Sequence, residues 1–509
     1  MQARVESQKT FASTCEPIHR TTSLCAVCKE AIPAEVVETA DGEAWMRKEC
    51  PAHGAQSVVL SRDAGWYRRT HAIPTPPAPP PKTAREVELG CPFDCGPCAS
   101  HEQDVKLPVV TITSACNLDC PICYVHNKND DAFHMELSEF QDVLAHLVAD
   151  HHGDLDLINL TGGDPSLHPQ IFEFLQAARD AGVHRVSLCT NGIRLAKDES
   201  VVARLAEIGA RVALSFDSFE TEADYLLQGA NLVALKHRCL DLLEKHDVDT
   251  TLIPVMTKGV NEHEVGALIQ LSLDRPNIRH IELHTMTYTG QSGGDFDRSG
   301  RITMDEVLDA ITEHTEGLLR HADFVPSPCA HPLCYQIAYL LMDPAGGPPV
   351  PFLRFMTPEE MYACLGDHLY LEPSPTLETV FLDAIDRLWV EDDDESARIL
   401  GVLSRLVRRM FPAGQALSRE DALGISERAI KAVYVHTHMD EESFDVERLA
   451  RCCDSNCYAD GSTIPVCSYN VLYREKEGRF MDAPAQWGAR VGAQLPQLIR
   501  IEEPKNHVH

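Results

Sequence analysis

The sequence contains no apolar run approaching the ~18 residues of a membrane-spanning helix. Charges run through its first twenty residues, without the apolar core of about 7–15 residues that marks a signal peptide. Basic side chains are few: 45 Lys and Arg stand against 77 Asp and Glu, a formal net charge of -32. A surface that negative repels phosphate backbones and so excludes non-specific nucleic-acid binding. It also disfavours docking on anionic headgroups, though not hydrophobic capture of a lipid tail. No internal repeat of about 20–50 residues is present. Together these absences lead us to expect a cytosolic protein with no nucleic-acid partner and at most peripheral membrane contact.

Cysteine, by contrast, is abundant, with 19 in 509 residues. The cytosol keeps thiols reduced and disulfides rare, so an odd number at short spacings points to metal. The length is about three times that of one domain, which predicts two or three domains. At 44% apolar residues the chain can bury real cores.

Six prolines between Ile73 and Lys82 (Pro74, Pro76, Pro77, Pro79, Pro80, Pro81) predict an extended polyproline II spacer with few contacts. It sets a small unit, residues 12–72, apart from the rest. From Leu107 to about Leu319 strands and helices alternate. The expected strands are Pro108–Thr113, Leu155–Leu160, Val183–Cys189, Arg211–Phe216, Thr250–Met256 and His280–Met286. Between them lie helices such as Leu137–His151, where Leu137, Phe140, Val143, Leu144, Leu147 and Val148 share one face. Six βα units in series predict an α/β fold with a parallel sheet, open or curled into a partial barrel, with active residues at the C-terminal ends of strands. Farther on, helices are expected at Leu377–Val390 and Ala397–Met410, flanking a solvated acidic loop, Glu391–Glu395. Their stripes (Phe381, Ile385, Leu388 and Trp389; Ile399, Leu403, Leu406 and Val407) suit either a lipid groove or ordinary core. The boundaries read 12–72, a linker at 73–88, a cysteine loop at 89–106, the barrel at 107–320, a C-terminal region at 321–480 and a tail at 481–509.

Cys116, Cys120 and Cys123 form C-x3-C-x2-C directly after the first barrel strand, and Cys91, Cys95 and Cys98 repeat the spacing. Three thiolates on one loop hold three corners of a cubane iron–sulfur cluster, leaving the fourth iron open or closed by a distant cysteine. A structural zinc or a redox-only cluster is the competing reading. Tyr124 follows the first triplet, and Gly162, Gly163, Asp164 and Pro165 end the second strand, where glycines allow backbone to approach a ligand. Asn191, Ser215 and Asp217 end later strands at the same mouth.

These residues resemble the radical S-adenosylmethionine (SAM) superfamily, whose motifs are C-x3-C-x2-C with an aromatic after the last cysteine and a GGEP-like segment. Asp164 keeps the carboxylate of that segment. The resemblance covers residues 107–320 and implies a partial (βα)6 barrel. It also implies a [4Fe-4S] cluster on Cys116, Cys120 and Cys123, with SAM held by Tyr124, Gly162, Gly163, Asp164, Pro165, Asn191, Ser215 and Asp217. A reductant such as a ferredoxin or flavodoxin would supply the electron that yields a 5′-deoxyadenosyl radical.

Cys15, Cys189, Cys239 and Cys364 have no evident metal role, which leaves twelve further cysteines, enough for three four-cysteine sites. Cys25, Cys28 and Cys50 form a small ribbon or rubredoxin-like unit for one iron or zinc, completed by His53 or by a cysteine beyond the linker. Cys91, Cys95 and Cys98, with Cys329, Cys334, Cys452, Cys453, Cys457 and Cys467, are then expected to hold two auxiliary [4Fe-4S] clusters in a cysteine-rich C-terminal extension.

The whole chain is similar to one branch of the superfamily, the archaeal tetraether lipid synthases and their bacterial relatives, one of which was first read as a pterin methylase. The matching segments are TTSLCAVC, ECPAHG, LGCPFDCGPCASHEQ, PSPCAHPLCY, HTHMDEESFD and IPVCSYNVLYR. The resemblance implies coupling of lipid alkyl chain ends by C–C bond formation. The alternative is methylation or cyclisation of a small molecule such as a pterin. His436, His438 and Asp440 alternate as on one face of a strand, to hold a headgroup, relay protons or serve the structure alone.

Overall fold

The computed structural model describes residues 16–83, 87–96, 98–124, 132–391, 393–412 and 417–474. Cys15 and the tail 481–509 lie outside them, as do the first residues of the 12–72 unit.

Four antiparallel strands open the chain: β1 (Pro17–Leu24), β2 (Ala31–Glu38), β3 (Ala44–Cys50) and β4 (Gly54–Ser61). Helix α1 (Ala64–His71) follows, its N-terminus capped by the Asp63 carboxylate, which accepts from Trp66 N. Alternation along the strands sends Ala34, Val36, Met46 and Val58 to one face, where they meet Tyr67 and, from far along the chain, Leu333. The unit is therefore docked rather than set apart. Buried Lys48 donates to the carbonyls of Glu441 (3.1 Å) and Glu442 (2.6 Å), and Asp305 accepts from the backbone N–H groups of Arg62 (2.7 Å) and Asp63 (3.0 Å). The proline-rich stretch also differs from the expected free spacer. Ala78 N donates to Glu102 O (2.9 Å), Gln103 Nε2 to Pro76 O (2.8 Å) and Thr75 Oγ1 to Ala330 O (3.0 Å). Prolines remove donors but keep carbonyls, and the body uses one of them.

The expected parallel array is present. Strands β5 (Leu107–Thr113), β6 (Leu157–Gly162), β7 (Arg185–Thr190), β8 (Arg211–Leu214), β9 (Thr250–Leu252), β10 (Val255–Met256) and β11 (Ile278–Thr285) succeed one another. All but β10 pair in sequence as parallel neighbours, and β10 pairs with β11. The single strand expected over Thr250–Met256 is split because Pro254 has no N–H for the ladder. Connecting helices such as α2 (Leu137–Asp150) and α3 (Ile171–Asp180) pack Phe140 and Phe174 ring on ring at 4.9 Å over the sheet. Each of these side chains is fully buried, a contribution of roughly 1.5–3 kcal/mol apiece.

The C-terminal third lengthens the sheet at both edges. Strands β12 (Val325–Pro326), β13 (Tyr335–Leu341), β14 (Val350–Pro351) and β15 (Ile430–His436) join beyond β11, with β15 parallel to it and β13 antiparallel to β15. At the other edge β16 (Asp454–Cys457) runs parallel to β5, and β17 (Thr463–Pro465) antiparallel to β16. The order β12-β13-β15-β11-β9-β8-β7-β6-β5-β16-β17 leaves an open, partial barrel.

Helices α4 (Pro375–Val390) and α5 (Asp394–Met410) do not form a lipid groove. Phe381, Leu388, Ile399, Leu403, Leu406 and Val407 bury themselves in a second core with Ile337 and Tyr339, while Trp389 is 76% exposed. The acidic run is only partly loop: Asp393 accepts from Ser396 N (2.9 Å), and Asp394 and Glu395 occupy the first turn of α5, where the helix dipole favours carboxylates.

Candidate active site

The end of β5 carries the cysteine loop into the mouth of the barrel, and the glycine segment holds that loop. A Cβ on Gly162 (φ +142°) would lie 1.9 Å from Thr113 O, and one on Gly163 would lie 2.2 Å from Ala115 O. Gly163 N donates to Thr113 O (2.9 Å) and Asp164 N to Ala115 O (2.6 Å). The close approach that requires glycine is thus to the backbone preceding Cys116. Ser292 N donates to Cys123 O (3.1 Å) and Ile122 N to Leu227 O (3.1 Å), which fixes the far end of the loop.

Cys116, Cys120, Cys123 and Tyr124 line a cavity of about 310 Å³, with Gly162, Gly163, Asn191, Ser215 and Asp217 on its wall. Asn191 Nδ2 donates to Asn117 Oδ1 (2.7 Å) and lies 4.0 Å from Cys116 Sγ. Burial pushes the Cys116 thiol up to about 11 and Cys120 higher still. Three sulfurs on one loop, two of them held neutral by burial, need a cation to become thiolates, and they are the donor set of a cubane cluster with one open iron. The residues present fit that group.

Asp164 and Pro165, expected to face the cofactor, stand behind the cavity wall. The Asp164 carboxylate is 1% exposed and accepts from Thr190 Oγ1 (2.8 Å), Asn191 N (3.0 Å) and Ser166 N (3.0 Å). Burial raises its pKa. Asp164 ties the ends of β6 and β7 together and positions Asn191. Asp217 accepts from Val255 N (2.8 Å) and from Gln228 Nε2, while the Ser215 carbonyl accepts from the buried Lys236 ammonium (2.5 Å).

A polar wall that the sequence reading missed completes the cavity: Cys189, Glu282, His284, Asp454 and Arg474 line it beside His436 and His438. The available signal was period two on β11, where His280, Glu282 and His284 alternate in a strand that the barrel buries. The imidazoles of His436 and His438 lie 4.2 Å apart, and that of His284 lies 4.8 and 5.4 Å from them. Glu282 Oε1 is 3.0 Å from His436 Nδ1 and 3.2 Å from His284 Nε2. Burial lowers the pKa of His436 and, further, of His438. Burial alone would raise Glu282, but His284 and His436 hold it well below the usual carboxylate range. Asp440 does not join the histidines: it pairs with Arg301 (2.7 Å) and accepts from Tyr288 N (3.2 Å), because β15 ends at His436 and the chain turns.

In the N-terminal unit, ligand atoms of Cys25, Cys28, Cys50 and His53 all lie within 4.8 Å of one another, so His53 supplies the fourth position. Burial opposes ionisation of Cys25, yet hydrogen bonds from Cys28 N, Gln56 and Val27 N bring it down to about 6. Four-ligand Cys3His sets are typical of structural zinc. The remaining cysteines do not form two clean sets of four. Cys91, Cys95 and Cys98 border one small cavity. Burial first, and then the charge of Cys467, raises the thiol of Cys452; burial raises Cys467 as well, with the charge of Cys334 adding to it, and Arg448 donates to Cys334 Sγ (3.5 Å). Cys329 and Cys453 pair at 3.7 Å. Cys457 differs from the expectation: it packs in the barrel core and donates to Ser455 O (3.3 Å), without contact to another thiol among the described residues.

The model of the radical SAM superfamily matches residues 110–272, and that of the HMPTM N-terminal zinc ribbon domain matches 17–62. Over 499 residues the chain is 26% identical to 7,8-dihydro-6-hydroxymethylpterin dimethyltransferase of Methanocaldococcus jannaschii, covering 92% of this chain and 96% of that one. It is 27% identical to GTP 3′,8-cyclase of Chlorobaculum tepidum over 40% of this chain and 64% of that enzyme. Among solved structures, Streptococcus suis SuiB bound to precursor peptide SuiA is 15% identical with a TM-score of 0.36, over 42% of this chain and 46% of that one. Residues 110–272, the span that holds the Cys116–Cys123 loop and its glycine clamp, thus form a radical S-adenosylmethionine domain, and residues 17–62 ahead of it match a zinc ribbon.

Proposed function

We propose that the chain is a radical SAM enzyme that methylates or cyclises a small, heteroatom-rich substrate such as a reduced pterin. The observation that supports it is the polar cavity wall of Glu282, His284, His436, His438 and Asp454. Buried hydrogen-bonding groups are costly when the ligand offers no partner. A nitrogen heterocycle offers several, and a hydrocarbon terminus offers none. The names of the pterin dimethyltransferase and the GTP cyclase point the same way.

Cys116, Cys120 and Cys123 would hold the cluster, and Tyr124, Gly162, Gly163, Asn191, Ser215 and Asp217 border the space for SAM. When bound, these groups supply a 5′-deoxyadenosyl radical that takes hydrogen from unactivated carbon. Asp217 is kept in place by Val255 N, and Asn191 by the Asp164 carboxylate. The barrel, residues 107–320, would house the chemistry. The loop 89–106 and the region 321–480 would hold two auxiliary clusters, fed by a ferredoxin or flavodoxin.

Coupling of lipid alkyl chains is the second reading. It is favoured by Leu107, Val109, Ile253, Val255 and Val466 on the same cavity wall. No helix among the described residues is long and apolar enough to cross a membrane.

The test incubates the reconstituted enzyme anaerobically with SAM and dithionite, and with either 6-hydroxymethyl-7,8-dihydropterin or phospholipid vesicles. A pterin product heavier by CH2, absent with Cys116→Ala, supports the first reading. A lipid product lacking two hydrogens per joined pair replaces it with the second. If 5′-deoxyadenosine forms and neither product appears, both substrate readings fall.

A further inference from the structure

The three histidines of the cavity wall converge more closely than substrate hydrogen bonding requires. One ring-nitrogen atom from each of His284, His436 and His438 lies within 4.8 Å of the other two. They come from separate strand ends, β11 and β15, whose register sets His284 opposite His436. His284 Nε2 is buried and faces the same Glu282 oxygen at 3.2 Å. Glu282 accepts from His436 Nδ1 at 3.0 Å, an arrangement that leaves the lone pair on Nε2, 3.8 Å from the Asp454 carboxylate, as second carboxylates do behind metal-bound imidazoles. Without a cation, the pocket crowds three imidazoles around a single buried carboxylate, which is costly.

We infer that His284, His436 and His438 form a binding site for a divalent transition-metal ion, buttressed by Glu282. Three imidazoles suit zinc, ferrous iron or cobalt, and three protein ligands are the number that leaves a position open to a substrate or water. The ion lies on the cavity wall beside Tyr124, whose ring is 6.3 Å from that of His438, and so next to the third cysteine of the cluster loop. A bound cation also offsets the Glu282 charge within the cavity. A nitrogen or oxygen donor on the substrate then has a Lewis acid to bind. The inference stands apart from the substrate reading, because metal binding is measured without turnover.

A second histidine group, His19 and His71 with Glu447, provides the control. Its two rings stack at 4.2 Å within the docked N-terminal unit, away from the cavity lining. The experiment uses the full chain with iron–sulfur clusters assembled anaerobically and the ribbon filled with zinc. It is equilibrated with Co2+, desalted and analysed for cobalt, zinc and iron. The wild type should retain one Co2+ per chain. His284→Ala and His438→Ala should each weaken Co2+ binding at least about tenfold, and Glu282→Gln should weaken it by about 10–100-fold. His71→Ala should leave cobalt unchanged, and equal iron content in all variants shows that they fold. Absence of retained cobalt in the wild type, or equal retention by His284→Ala and His438→Ala, overturns the site.

Discussion

Tyr335 donates a 2.6 Å hydrogen bond to the Asp454 carboxylate, although the strands that carry them, β13 and β16, stand near opposite ends of the sheet. Tyr335 also stacks on His436 at 3.8 Å, and His436 Nε2 lies 3.8 Å from Asp454. The backbone leaves the barrel open, and these side chains span the opening. Tyr335→Phe should therefore cost about 1–3 kcal/mol, since a buried carboxylate loses its donor. The check is the anaerobic thermal midpoint, with cluster iron unchanged at low temperature.

Glu427 should govern acid stability. Burial favours its neutral form, but the guanidinium groups of Arg211 and Arg185 hold its pKa at about 2, against an ordinary 4.5. The folded value is depressed, so its contribution is complete above pH ~4.5 and fades as pH falls toward 2. Asp445, held at about 2 against burial by His19 and Thr21, behaves likewise at the docked ribbon. Glu427→Gln should flatten that window and cost about 1–3 kcal/mol at pH 7, since Arg185 keeps Asp156 and Glu372 as partners and Arg211 keeps Asp249. Thermal midpoints between pH 3 and 7 read both effects.

Gly162→Ala and Gly163→Ala should each displace the cysteine loop, because the added methyl meets backbone carbonyl oxygen and not a movable side chain. Iron bound by the reconstituted protein should fall by the content of one cluster, while zinc in the ribbon stays. Retention of full iron in both variants would show that the clamp is dispensable.

His53→Ala should empty the ribbon site, and His53→Cys should refill it. Elemental zinc analysis distinguishes the two. The metal-free variant should also melt at a lower temperature, because Lys48 and Asp445 bind the ribbon to the C-terminal region.

Much of this was legible in the sequence for identifiable reasons. Strands β5–β8 and helix α2 are local, periodic and flanked by turn residues, so pattern alone located them. The cysteine triplet declared itself by spacing. The C-terminal strands did not: β13 and β15 are buried along their whole length and show no alternation. Their partners also lie far away in sequence. Glu282 and His284 escaped because an inward-facing polar pair in a barrel strand gives no composition signal outside its context. Asp164 was read as a ligand for the cofactor, whereas its buried oxygens are used by Thr190, Asn191 and Ser166.

The placement of β15 and β16 at the two edges of the parallel array bears on biogenesis. When the ribosome has released β5 through β11, both outer strands still present bare backbone donors and acceptors, and their covers have yet to be made. A nascent chain in that state is open to unwanted strand pairing with its neighbours. The same interval leaves the cysteine loop reachable from the side. Delivery of iron and sulfide is then easiest before the last strands arrive, and chains truncated ahead of Asp454 should be recovered as aggregates that lack their metal.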